Sequence, residues 1–268
     1  MKLIHYEYLL AIKAQLIAFK HIDEIKIDGL LVERIPVFAS GVAILIALFE
    51  SFAVKTLHLS SGALREGLLY DMLPAAKSVD IASLTINSMM AKYHVEQAHS
   101  ERVSRLAQTI FHACEPQWNV LNPEDLSLIS AACQLHEIGL LIEYKKHQKH
   151  GAYIIENSQL LGFTQTEQQT LSLLVGHQKE SINAKVLADQ LLPYNKCLAL
   201  LIIVRTAILL ASRRQDAELP ELTPSAQKQK LSLGIAPEWL ERHPLIKDEL
   251  STEADRLAEL GFTLSAQT

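Results

Sequence analysis

His136 and Glu137 stand side by side in "AACQLHEIGLLIEYKKHQKH", residues 131–150, and five basic side chains come after them in the same stretch. A His–acid pair can hold a divalent metal. A metal-dependent phosphohydrolase takes one His from a first helix, a His–acid pair from the next, and an Asp from a later one. The ion then polarises phosphate and activates water. His99, His136, Glu137 and Asp189 (in "LADQLL") are the candidates for that set. Glu137 is a methylene longer than the Asp such a pair ordinarily uses. The competing reading is that His99 and His136 are hydrogen-bonded histidines in a helical core.

The basic residues suggest a second chemistry. Lys145, Lys146, His147, Lys149 and His150 crowd six positions. Together they can hold several phosphate oxygens as point charges and donors without cleaving anything. The alternative is a solvated basic turn closing a helix, which the dipole favours at a C-terminus. Arg205, Arg213 and Arg214 form a further basic group. Arg205 joins the phosphate-binding candidates and, inside an apolar run, must find a partner. Arg213 and Arg214 serve to end a helix.

The elements that must position these residues are mostly helical. Apolar spacing predicts a helix over 3–20 and a buried, nearly all-apolar one over 36–53. "VKTLHLS" (54–60) alternates as a strand with no evident partner in the first 73 residues, which implies that another chain or a larger domain completes its sheet. A helix over 95–114 puts His99, Val103, Leu106, Ile110 and Cys114 on one face. The next, near 123–142, opens with "NPED", where Asn122 can cap and Pro123 suits the first position. Its inward stripe is Leu126, Ile129, Cys133, His136 and Leu140. "TQTE" (164–167) is a capping box for a helix to about 178. A long apolar helix covers 195–213. "QDAELPELTPSAQ" (215–227) reads as a linker or exposed loop. "KLSLGI" (230–235) and "FTLSA" read as strands flanking a helix over 237–260 that Gly261 ends, forming a small β-α-β cap.

Composition bounds the function. The net charge of −5 argues against a general nucleic-acid binder. Cys114, Cys133 and Cys197 are odd in number and widely spaced, so reduced core thiols are expected. "VFASGVAILIALF" (37–49) is too short to span a bilayer, and "CLALLIIVRTAILLA" (197–211) carries Arg205 near its middle. Glu7 interrupts the first apolar stretch and no cleavage site is evident, so no signal peptide is expected. The expectation is a cytoplasmic protein with no membrane and no nucleic-acid partner.

Three segments together resemble the exopolyphosphatase/guanosine pentaphosphate phosphohydrolase family. "SSGALREGLLYDML" (60–73) is similar to the signature that closes the family's actin-like phosphatase core. "YHVEQAHSERVSRLAQTIF" (93–111), "LHEIGLLI" (135–142), "HQKHGAYIIENSQLLGF" (147–163) and residues 164–179 are similar to its HD-like helical domain. "LSLGIAPEWLERHPLIKDELSTEADRLAELGFTLS" (231–265) resembles its small C-terminal domain. The resemblance implies a mainly α chain in three parts. These are a remnant of the actin-like α/β core (1–73), an HD-like helical domain (74–214) and a small α/β C-terminal cap (215–268).

It further implies phosphoanhydride hydrolysis with Mg²⁺ in the whole enzyme, polyphosphate or pppGpp as ligand, and a homodimer. Arg65, in "GALREG", would contact anionic substrate, and the helical domain would shape a basic channel. The family's Asp-x-Gly-Ser turn and glycine-rich phosphate loop do not occur in these residues. The resemblance therefore implies weak or no hydrolysis by this chain alone.

Overall fold

The computed structural model describes residues 3–58 and 80–267. The chain divides into two compact units, residues 1–60 and 61–268. "SGALREGLLYDML", with Arg65, and the expected boundary at 73 lie outside the described residues.

In the first unit, strand β1 (Leu3–His5) leads directly into helix α1 (Tyr6–Ala18). After two short 3₁₀ turns comes α2 (Ile35–Ser51), then β2 (Thr56–His58). β1 pairs antiparallel with β2, Ile4 opposite Leu57. The expected lone strand thus has a partner, formed by three residues read from sequence as the start of the first helix. The apolar content of "LIH" fits either element, and cross-strand hydrogen bonds decide it.

Pro36 opens α2, where its missing N–H is harmless. Val42, Ile46 and Phe49 form its buried stripe, packed with Leu9 of α1. Tyr6 stacks on Phe49, and its hydroxyl donates to Glu50 at 2.7 Å. The rest of α2 corrects the expectation of a buried helix. Val37, Ile44 and Leu48 are exposed, as is Phe52 just beyond it, because α1 covers only one side. Together with its preceding turn, Val32–Ser51 is also long and apolar enough to cross a membrane by length and composition, which residues 37–49 alone are not.

The second unit is a helical assembly with a three-stranded sheet. Asp80 caps α3 (Ile81–Lys92), accepting from the backbone N–H of Ala82 at 3.0 Å. α4 (Gln97–Cys114) buries the predicted His99–Cys114 stripe. α5 (Asp125–Leu135) begins and ends inside the predicted span. Asn122 does not cap it with its side chain. Instead Asp125 accepts from the Asn122 backbone N–H at 2.9 Å. The chain then tightens into a 3₁₀ turn over Ile138–Leu141.

Gly139 explains the change of helix. A Cβ there would lie 1.9 Å from the carbonyl oxygen of His147, at the start of α6 (His147–Glu156). Only glycine permits that backbone approach. α7 (Gln165–Gly176) has the predicted capping box, with Thr164 and Glu167 satisfying each other's backbone N–H. After the short α8 (Ala184–Ala188), α9 (Tyr194–Leu210) is buried on nearly every side and packs against α4, α5, α7 and α8.

The segment read as a linker contains β3 (Thr223–Gln227), antiparallel to β4 (Lys230–Gly234). Its prolines suggested a loop, but an edge strand tolerates proline. The crossover to β5 (Thr263–Gln267) is two helices, α10 (Pro237–Arg242) and α11 (Pro244–Ala258), because Pro244 supplies no N–H to continue the first. Gly261, at φ +74°, turns the chain into β5, which runs parallel to β4 as expected. These strands and helices share one apolar core with the helices before them.

Arg205 ties α9 to α11. Its guanidinium is buried and pairs with both carboxylate oxygens of Glu253 on α11. It also donates to the carbonyls of His177 and Glu180. Glu253→Gln leaves that charge unneutralised, and a loss of roughly 3–5 kcal/mol is expected from urea denaturation. Replacing both partners with methionine should recover most of it; a Glu253→Gln midpoint equal to wild type would show the pair to be dispensable.

Candidate functional site

Two helix ends and a distant turn build the candidate site. His99 sits in the first turn of α4 and is buried. His136 closes α5, and its Nδ1 lies 2.6 Å from the Cys133 carbonyl. A carbonyl can only accept, so Nδ1 carries the proton and Nε2 keeps its lone pair. The His136 carbonyl accepts from Gln178 Nε2 at 2.6 Å, which fixes the segment from a third direction. The two imidazole rings lie 5.3 Å apart between centroids. Ligand atoms of His99, His136 and Glu137 all fall within 4.8 Å of one another. Asp189 is not with them; it is exposed at the end of α8, beside Lys149 and His177.

The position facing Glu137 is held by Arg214. Its two terminal nitrogens donate to the two oxygens of Glu137 at 2.7 and 3.0 Å, a bidentate pair. The same guanidinium reaches Glu96, just before α4, at 2.7 and 3.2 Å. Glu96 also accepts from Arg102 at 3.1 Å, and Arg102 lies 3.6 Å from Asp216. Arg214 therefore does more than end a helix. Sequence reading gave it no partner, since Glu96 lies 118 residues away.

Burial pushes the His136 imidazole down to about 4. Burial, then the charge of Arg214, lowers His99 as well. For Glu137 burial works upward, but the Arg214 hydrogen bonds outweigh it and hold the carboxyl below its ordinary range. Arg214 itself is held protonated, chiefly by its bonds to Glu137. The cluster at neutral pH is thus two neutral imidazoles, a carboxylate and a guanidinium.

The hard Mg²⁺ implied by the family resemblance asks for oxygen ligands in octahedral array. This donor set offers two nitrogens and one carboxylate already gripped at both oxygens, so it does not fit Mg²⁺.

The basic turn lies beyond the 3₁₀ segment. Lys145, Lys146 and Lys149 are exposed, and His147 and His150 are half-buried. Its place corrects the sequence reading. These residues precede and form the first turn of α6, at the positive end of a helix, where the dipole disfavours cations. Lys146, at φ +59°, makes the entry. Lys179 Nζ approaches His147 Nδ1 to 3.4 Å, bringing in a further cation that sequence reading passed over. His150 lies 3.8 Å from Glu143, while Lys145, Lys146 and Lys149 have no ion-pair partner among the described residues. Arg205 is excluded from this group, since its donors are committed in the interior.

Residues 81–254, which include both the histidine cluster and the basic turn, match the family model described as Ppx/GppA phosphatase, domain III. Residues 1–76 match the model of the Ppx/GppA phosphatase family. The chain belongs to the Ppx/GppA phosphatase family. It is 41% identical to a guanosine-5'-triphosphate,3'-diphosphate pyrophosphatase of Pseudoalteromonas translucida, over 98% of this chain and 53% of that protein. The enzyme of the same name from Vibrio cholerae is 36% identical over 92% of this chain and 50% of its own length. The chain spans about half the length of the curated relatives it matches.

The buried imidazole has a consequence for acid stability. His136 titrates near 6.5 when unfolded and about 4 when folded, so only the unfolded chain takes up its proton between those values. Stability is whole above pH 6.5 and falls toward pH 4, by roughly 3 kcal/mol from this group. Glu137 and Glu96, whose carboxyls are depressed, lose their contribution lower still, below the ordinary carboxylate range. Urea midpoints between about pH 7.5 and 4.5 should drop for the wild type and drop less for His136→Gln. An identical slope in the variant would show that His136 is not the titrating group.

Proposed function

We propose that this chain is the C-terminal part of a polyphosphate- or pppGpp-hydrolysing protein and that it supplies phosphate binding and assembly rather than hydrolysis. In this reading residues 1–73 belong to an actin-like core, 74–214 to an HD-like domain and 215–268 to a cap. The observation that carries the binding role is the basic turn. Three lysines without an ion-pair partner among the described residues are collected with two histidines at the positive end of α6. The free chain has no electrostatic reason to keep them there. Backbone N–H groups of a first helical turn and neighbouring ammonium groups together suit a chain of phosphates. Membership of a phosphatase family points to the same ligand class.

Hydrolysis is assigned to the half of the relatives' length that this chain does not align with. The residues of this chain contain neither the Asp-x-Gly-Ser turn nor a glycine-rich phosphate loop. Mg²⁺ belongs with that half in this reading. Assembly is assigned to the open side of α2, which offers Val37, Ile44 and Leu48 to a second copy. The family match over residues 1–76 favours packing over membrane insertion for this helix, in keeping with a cytoplasmic protein.

Titration of fluorescent polyphosphate tests the binding role. Lys145→Ala/Lys146→Ala/Lys149→Ala should weaken binding roughly tenfold or more and lower the slope of log affinity against log salt by about 2. Unchanged affinity would remove the turn from the reading. Sedimentation of Ile44→Asp/Leu48→Asp should show a monomer where the wild type dimerises. With Mg²⁺ and polyphosphate, the 268-residue chain should release no phosphate; sustained release would overturn the assignment of hydrolysis.

A further inference from the structure

We propose that His99, His136 and Glu137 form a latent site for a divalent transition metal such as Zn²⁺, and that the Arg214 guanidinium plugs it by standing in for the ion's charge. The site is independent of the phosphate-binding role. Two neutral imidazoles and a carboxylate with ligand atoms within 4.8 Å are the donors of a three-ligand zinc site with an open position. His136 already has the arrangement such a ligand needs, with Nδ1–H tied to a backbone carbonyl and Nε2 left free for metal. His99 is only 3% exposed, yet its Nδ1 has no hydrogen-bond partner among the described residues. A nitrogen so placed is available to a ligand.

Charge explains why the site is closed. Glu137 and Glu96 present two carboxylates, and Arg214 bridges them. A dication added beside the guanidinium would meet a like charge and a carboxylate whose two oxygens are already taken. Without Arg214, Glu96 keeps Arg102 but Glu137 faces only neutral imidazoles, and a dication there replaces the lost charge. Arg214 is also the member able to leave. The histidines are buried on helix ends, whereas the Arg214 side chain is 42% exposed on a turn beyond α9.

Co²⁺, whose visible absorption reports tetrahedral nitrogen and oxygen ligation, is the probe. It is titrated into the full 268-residue chain as wild type, Arg214→Ala, Arg214→Met and His136→Ala/Arg214→Ala. The two arginine variants should bind one Co²⁺ per chain about 100-fold more tightly than wild type, with a tetrahedral spectrum, and the double variant should lose both. Zn²⁺ should displace the Co²⁺ and raise the thermal midpoint of Arg214→Ala but not that of wild type. Equal affinity in wild type and Arg214→Ala overturns the proposal. So do arginine variants that remain unfolded with metal present, since the ion should replace the lost charge.

Discussion

Arg205 places a full charge in the middle of α9, a helix otherwise buried in apolar contacts, and the second unit can close only by satisfying it. The partners come from two directions. Glu253 arrives on α11, after the β3–β4 hairpin, and the carbonyls of His177 and Glu180 come from the turn after α7. An apolar replacement would serve the core at least as well, because desolvating an ion pair offsets most of its attraction. What the pair adds is register. α9 cannot rotate or slide without uncovering a charge, and α11 cannot dock elsewhere without leaving one. The turn it fixes also carries Gln178, whose amide donates to the His136 carbonyl. The geometry of the candidate site is thus tied to a charge buried outside it.

Within the site the electrostatics close on themselves. Arg214 lies between Glu137 and Glu96, Arg102 between Glu96 and Asp216, and the imidazoles stay neutral. Hydrolysis at a metal centre needs the reverse: an open coordination position and a cation able to polarise phosphate. The cluster has the ligand pattern, but Arg214 already occupies both oxygens of its one carboxylate. It is better suited to hold α4, α5 and the end of α9 together than to activate water.

Local signals in the sequence were reliable where local forces decide. "TQTE" specified its capping box because both partners lie within one turn, and the His99–Cys114 stripe specified a buried face through its period alone. Gly261 marked a chain reversal because few other residues accept its φ. Failures came where distant partners decide. Leu3–His5 is a strand only because Thr56–His58 lies beside it, and Thr223–Gln227 is one only because Lys230–Gly234 pairs with it. The "HE" pair of the site was visible, and so was His99. Arg214 was visible only as a charge near a helix end, because nothing local links it to Glu96 or Glu137. The basic turn is legible as a cluster, but sequence alone puts it at the end of one helix rather than the start of the next, since the close approach of Gly139 to α6 has no signature beyond a glycine.

The two basic features of the second unit therefore make opposite demands. At Arg214 each positive charge already meets a carboxylate, so an incoming phosphate would have to displace Glu137 or Glu96 from a bidentate or bridging bond. At the start of α6 the lysines have no ion-pair partner among the described residues and lie at the positive end of a helix, which disfavours cations there. A polyanion relieves that repulsion as it binds, and a neutral ligand does not. Salt screens exposed charges of this kind within about 10 Å. Affinity there must fall with ionic strength, whereas the partly buried pairs around Arg214 are far less sensitive. In the proposed reading the anion is placed at the turn for that reason, and not at the histidine cluster, where Arg214 already has carboxylate partners.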